Sequence, residues 1–141
     1  MDIEHFGSTS IPGMISKPII EIQRGCTTLS RRSAAFTGSR DLATPFKGES
    51  GELRQYSFTK HDPVRYHLYL VDRSGETWAK RTSFRDYLKD NRKSADSYAE
   101  LKQELASRYP DDVRAYQDGK LEFVERIVSA AKGRAGSASR N

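Results

Sequence analysis

A short N-terminal stretch carries the residue types needed to handle an anion. Gly7-Ser8-Thr9-Ser10 supplies a tight turn with three hydroxyls and closely spaced backbone N–H groups, the parts of a phosphate-sized cradle. Lys17 follows as a counter-charge, and Glu21 as a carboxylate able to exchange a proton or ligate a hard cation. The run from Pro18 to Gln23 is β-branched and alternating, which reads as a strand. Side chains two apart on a strand face the same way, so Lys17, Ile19, Glu21 and Gln23 share one side. A second strand-like run places Arg65, His67, Tyr69 and Val71 on one face and Tyr66, Leu68 and Leu70 on the other. Glu21 and His67 are the candidates for chemistry; Gly7, Ser8, Thr9 and Lys17 are the candidates for binding.

Each candidate has a plainer reading. Gly-Ser turns occur without ligands, and Lys17 and Glu21 can form an ordinary ion pair. A single histidine on a strand is more often a hydrogen-bonded structural residue than a substrate-orienting one. Arg85 and Lys120 lie on helical runs. There Arg85 faces either a cleft or solvent, and Lys120 either points to the site or lies along its own helix. His5 and His61 read as structural.

Strands must hold these groups, and helices must cover them. Met1 to Phe6 reads as a strand, Gly7 to Ser16 as the turn, and residues 18–24 as a second strand ended by Gly25. Thr28 to Phe36 reads as a short helix, and Ser39 to Gly51 as mostly loop with a short strand at Thr44-Pro45-Phe46. Leu53 to Lys60 and Val64 to Asp72 form a hairpin about His61-Asp62-Pro63. Thr77 to Leu88 is helical with Trp78, Phe84 and Leu88 buried. Asn91 or Ser94 then caps a helix whose core stripe is Tyr98, Leu101, Leu105 and Tyr109. Pro110 ends it. A last helix begins at Asp111-Asp112, carries Val113, Tyr116, Phe123, Val124, Ile127 and Val128, and has Gly119 as a close-packing point. Strands first and helices last give an α+β fold, a small mixed sheet with C-terminal helices packed against it. Residues 3–131 form one domain, and 132–141 a basic tail expected to be disordered.

Composition limits the partners. The chain has 141 residues, 35% hydrophobic and 30% charged, with a mean hydropathy of −0.77, as in a soluble single domain. No apolar run approaches the ~20 residues of a membrane helix, and Met1-Asp2-Ile3-Glu4 does not begin a signal peptide. Cys26 is the single cysteine, which excludes an internal disulfide and a multi-cysteine zinc site and fits the reducing cytoplasm. The net charge of +5 is spread among acids, a pattern that disfavours a nucleic-acid partner.

Glu4-His5-Phe6-Gly7-Ser8-Thr9-Ser10-Ile11-Pro12-Gly13, with Lys17-Pro18-Ile19-Ile20-Glu21-Ile22 after it, resembles the signature of the GrpB family, a branch of the nucleotidyltransferase fold. The likeness continues in order through Arg54-Gln55-Tyr56-Ser57-Phe58-Thr59-Lys60 and Tyr66-His67-Leu68-Tyr69-Leu70-Val71. It extends to Trp78, to Phe84-Arg85-Asp86-Tyr87-Leu88 and Tyr98-Ala99-Glu100-Leu101-Lys102, and then to Ala115-Tyr116 and Lys120-Leu121-Glu122-Phe123-Val124. The resemblance implies a bacterial, cytoplasmic protein that binds a nucleotide or phosphorylated small molecule. Terminal phosphates would lie on Ser8 and Lys17, and Glu21 would ligate Mg²⁺ in a nucleotidyl transfer. Enzymes of that fold hold Mg²⁺ with carboxylates two apart on one strand plus a third nearby, because residues i and i+2 reach the same ions. Here the pair is Glu21 and Gln23, and an amide is a poor Mg²⁺ ligand, so the metal set is incomplete. The family usually has Asp at Glu21, His at Tyr69, and a helical segment before Glu4, so the resemblance also implies an N-terminally shortened chain. A second implication is a non-catalytic accessory module acting through a protein partner or homodimer, as in fusions of such domains to dephospho-CoA kinase.

Overall fold

The computed structural model describes residues 2–27, 46–50, 55–61 and 63–138. Among these residues five strands form one sheet: β1 Ile3–Phe6, β2 Ile19–Cys26, β3 Phe46–Ser50, β4 Gln55–His61 and β5 Arg65–Asp72. Their order is β1-β2-β5-β4-β3. The β2–β5 pair is parallel and the other three pairs are antiparallel, so the sheet is mixed. Among the described residues four α-helices follow: α1 Glu76–Asp90, α2 Arg92–Arg108, α3 Val113–Asp118 and α4 Leu121–Ala138. The α+β class expected from the order of patterns is the class observed.

Register decides which side chains meet. The parallel pair sets Glu21 beside His67 and Gln23 beside Tyr69, while β1 sets Phe6 opposite Glu21. All of these therefore share one face, because paired residues on adjacent strands point the same way. That face meets α1. Across the sheet, Tyr56, Phe58 and Leu70 form a buried cluster with Cys26 and Leu68 against it. The main core lies among the helices and the turn after β1, where Ile11, Leu88, Ala95, Tyr98, Phe123 and Ile127 are buried together. Tyr98 stacks on Phe123 at 5.1 Å and meets Phe84 edge-on at 5.2 Å. Among the described residues, no helix is long and apolar enough to cross a membrane.

Four local expectations need correction. Gly25 does not end β2; it pairs with Val71, and the strand continues to Cys26. The stretch read as mostly loop contains β3, which pairs with β4 through an irregularity between Phe46 and Glu49, and that irregularity hides the alternation. The helix begun near Asp112 breaks at Gly119 and Lys120 into α3 and α4. Asp112 caps α3, its carboxylate accepting from the Ala115 N–H at 2.9 Å. A Cβ on Gly119 would come 2.5 Å from the Leu105 side chain, so this glycine is the close-packing point its position suggested. Finally, α4 runs past Gly133 to Ala138 instead of ending in a disordered tail at 132. Arg134 explains the extension: it donates to Asn91 at 2.7 Å and lies 4.7 Å over the Tyr87 ring, tying the last turns to α1 and to the α1–α2 corner. The helix read at Thr28 to Phe36 and the strand residues Thr44 and Pro45 lie outside the described residues.

Candidate functional site

The turn after β1 is built to hold its own shape. Gly7 has φ 72° and ψ −175°, a conformation that only glycine adopts readily. Its carbonyl accepts from the Ser10 N–H at 3.1 Å and from the Ser10 hydroxyl at 2.6 Å. Thr9 Oγ1 donates to the Ile19 carbonyl at 3.3 Å and lies 2.9 Å from His5 Nε2. Ser8 Oγ accepts from Lys102 Nζ at 2.9 Å. Two of the three hydroxyls thus close the loop on itself, which matches the plainer reading of a tight turn. Ser8 alone is tied to a charge. A Cβ on Gly7 would fall 2.1 Å from Glu21 Oε2, so the Glu21 carboxylate rests directly against the Gly7 backbone.

Above this turn lies an open cavity of about 590 Å³. Its floor is Ile19 and Glu21 of β2 with His67 and Tyr69 of β5; the turn contributes Ser8, Thr9 and Lys17, and the far wall comes from α2, α3 and the α3–α4 junction. Of the candidates read from the chain, Ser8, Thr9, Lys17, Glu21, His67 and Lys120 all line this cavity, and Gly7 backs Glu21 from beneath. Arg85 does not line it. Its guanidinium pairs with Glu4 and Asp86 and donates to the His5 carbonyl at 2.9 Å, tying α1 to the sheet edge. Lys17 and Glu21 are not an ion pair; the Lys17 ammonium instead lies 5.5 Å over the Tyr116 ring.

Lys102 is not among the candidates that the sequence motifs point to, yet it is central. It is nearly buried, donates to Ser8 Oγ and the Ile15 carbonyl, and rests 5.0 Å over the Tyr98 ring. An ammonium has three N–H donors, so one remains for a ligand. Burial pushes its pKa down from 10.5 to about 8, with the Lys120 charge acting the same way and Glu21 opposing. Lys120 lies 4.5 Å over the same Tyr116 ring as Lys17, and burial lowers its pKa too. Burial raises the Glu21 pKa, against the pull of Arg81, Lys120 and Lys102. Arg81 is the second residue that sequence reasoning misses. Stacked 4.7 Å from Phe6 and 4.6 Å from Tyr69, and donating to Gln55 at 2.7 Å, it puts a half-buried positive charge behind the floor.

The donor set does not fit a protein-held Mg²⁺. Glu21 is the one carboxylate lining the cavity, and it faces ammonium groups; among the described residues no group of three His, Cys, Asp or Glu side chains converges. Gln23, where a second carboxylate would stand, is fully buried with neither amide atom hydrogen-bonded. Mg²⁺ calls for hard anionic oxygens, and this cavity offers mostly cations.

Comparison with known proteins places this arrangement in a lineage. The GrpB protein family matches residues 1–130. The UPF0157 protein YqkA of Bacillus subtilis is 32% identical over 131 residues, covering 92% of this chain and 38% of its own length. The glutamate-rich protein GrpB of Alkalihalophilus pseudofirmus is 31% identical over 134 residues, covering 91% of this chain and 77% of its own. The crystal structure of the conserved protein GrpB from Enterococcus faecalis superposes with a TM-score of 0.81 at 26% identity, covering 96% of this chain and 82% of that one. Family match, sequence likeness and fold agree along nearly all of its length: the chain belongs to the GrpB family.

Proposed function

We infer that the cavity binds the phosphate of a nucleotide or phosphorylated small molecule. One observation carries this reading: Lys17, Lys102 and Lys120 come from three separate elements and line a single cavity with Ser8. Clustered cations repel one another, and Lys102 and Lys120 also lose hydration, so the cluster is favourable chiefly when an anion completes it. Ser8 would anchor the anion beside Lys102, with Lys17 and Lys120 closing from the rim. Glu21 and His67, side by side on the floor, would accept hydrogen bonds from a ligand hydroxyl and exchange a proton with it. Metal-dependent nucleotidyl transfer would need a second carboxylate where Gln23 stands, so the reading stops at binding.

Calorimetric titration of AMP and of ATP, each with and without Mg²⁺, tests the reading. At least one should bind without the metal, and Lys120→Met should weaken it by about tenfold, the value of one charge-assisted hydrogen bond. No heat at millimolar ligand, from protein shown to be folded, would overturn it.

A further inference from the structure

The cavity is unevenly charged and unevenly wet. Among the described residues its lining holds three lysines against the single carboxylate of Glu21, an excess of two positive charges. Lys17 and Lys120 both lie over one shared partner, the Tyr116 ring, at 5.5 and 4.5 Å, and the Lys17 charge helps to lower the Lys120 pKa, so the two ammonium groups repel across one site. Such a pair is favourable when one doubly charged anion bridges it. Beyond Lys102 the character changes. Along α2 and into the following turn the wall continues as Ala106, Tyr109 and Pro110, and then as Val113. At ~1.5 Å per residue, Tyr109 stands about 10 Å from Lys102, one ring or one sugar away. Among the described residues, five large apolar side chains are exposed, and two of them, Ile15 and Val113, line this same cavity. An apolar rim left open to water beside a cationic pocket marks where a ligand body would lie.

We propose that the ligand is a phosphate monoester. Its one dianionic phosphate sits among Lys17, Lys102 and Lys120 without a divalent metal, and its apolar or aromatic body lies along Tyr109, Pro110 and Val113. This rests on the anion-binding reading above and narrows it in two ways. The charge matches a single phosphate, which carries about −1.5 to −2 near neutral pH, and not the larger charge of a bare triphosphate. The apolar wall demands an organic body, since free phosphate would leave it exposed.

Titration of the full chain with inorganic phosphate, phenyl phosphate, ATP and Mg-ATP tests this. Phenyl phosphate should bind about tenfold tighter than inorganic phosphate, a gain typical of covering one aromatic ring, and chelator or added Mg²⁺ should leave its affinity unchanged. Tyr109→Ala should abolish that preference without changing the affinity for inorganic phosphate, whereas Lys120→Met should weaken both. Lys102 is left intact in these variants because it also holds the turn. Equal affinity for inorganic and phenyl phosphate overturns the proposal, as does Mg-ATP binding tenfold tighter than phenyl phosphate. Either result leaves the anion-binding reading standing. Failure of all four ligands to bind removes both.

Discussion

Lys102 does two jobs with one ammonium. Two of its N–H groups hold Ser8 and Ile15, fixing the turn to α2, and its charge serves the cavity. The two roles respond to pH with opposite signs. In the unfolded chain the lysine stays protonated to about 10.5, but in the folded protein only to about 8. Between those values the unfolded state binds more protons, so this group's contribution to stability rises with pH through that window. Phosphate affinity should do the reverse, falling as pH rises past 8, because the empty cavity loses a positive charge. Glu21 and Lys120 face the same group, the carboxylate pulling its pKa up and the second ammonium pushing it down. Phosphate titrations on either side of that pH check the sign, and a flat affinity contradicts it. Lys102 was legible in principle: Tyr98, Leu101, Leu105 and Tyr109 form the apolar stripe, and a lysine next to Leu101 and four residues after Tyr98 stands at its edge, where it needs a partner. Arg81 and Arg85 interrupt the Trp78–Leu88 stripe in the same way. The partners themselves, Ser8 and Gln55, are far away in sequence, and no local pattern reveals them.

At the scale of elements, the site depends on how the turn after β1 meets β2. Gly7 occupies a backbone region closed to other residues and supports the Glu21 carboxylate. Gly7→Ala should therefore cost about 1–3 kcal/mol of stability and displace Glu21. Chemical denaturation of Gly7→Ala in the native and Glu21→Ala backgrounds separates the two effects: the backbone cost persists, and the part due to the carboxylate contact vanishes. A full and equal loss in both backgrounds would mean that Glu21 does not rest on Gly7. Strand alternation makes the pairing of Glu21 with Gln23 on one face, and of His67 with Tyr69 on one face, readable in the amino-acid sequence, whereas the β2–β5 register that brings the two pairs together is not. The break between α3 and α4 is not readable there. Val113 and Tyr116 continue the apolar spacing of the following helix, yet they serve the cavity while Phe123, Ile127 and Val128 serve the core.

For the molecule as a whole, the sheet supplies the floor and the helices the far wall, so the cavity exists only when both halves of the chain are folded together. The family match and the likeness to a solved GrpB structure extend over that entire arrangement. The most direct measurement of the central claim is a phosphate titration followed residue by residue through backbone amide NMR signals. If the cavity holds the phosphate, the amides of Ser8, Thr9, Lys17, Glu21, Lys102 and Lys120 shift together along one saturating curve. Shifts scattered over the basic outer surface of α4, around Arg126 and Lys132, with the cavity amides unmoved, would contradict it.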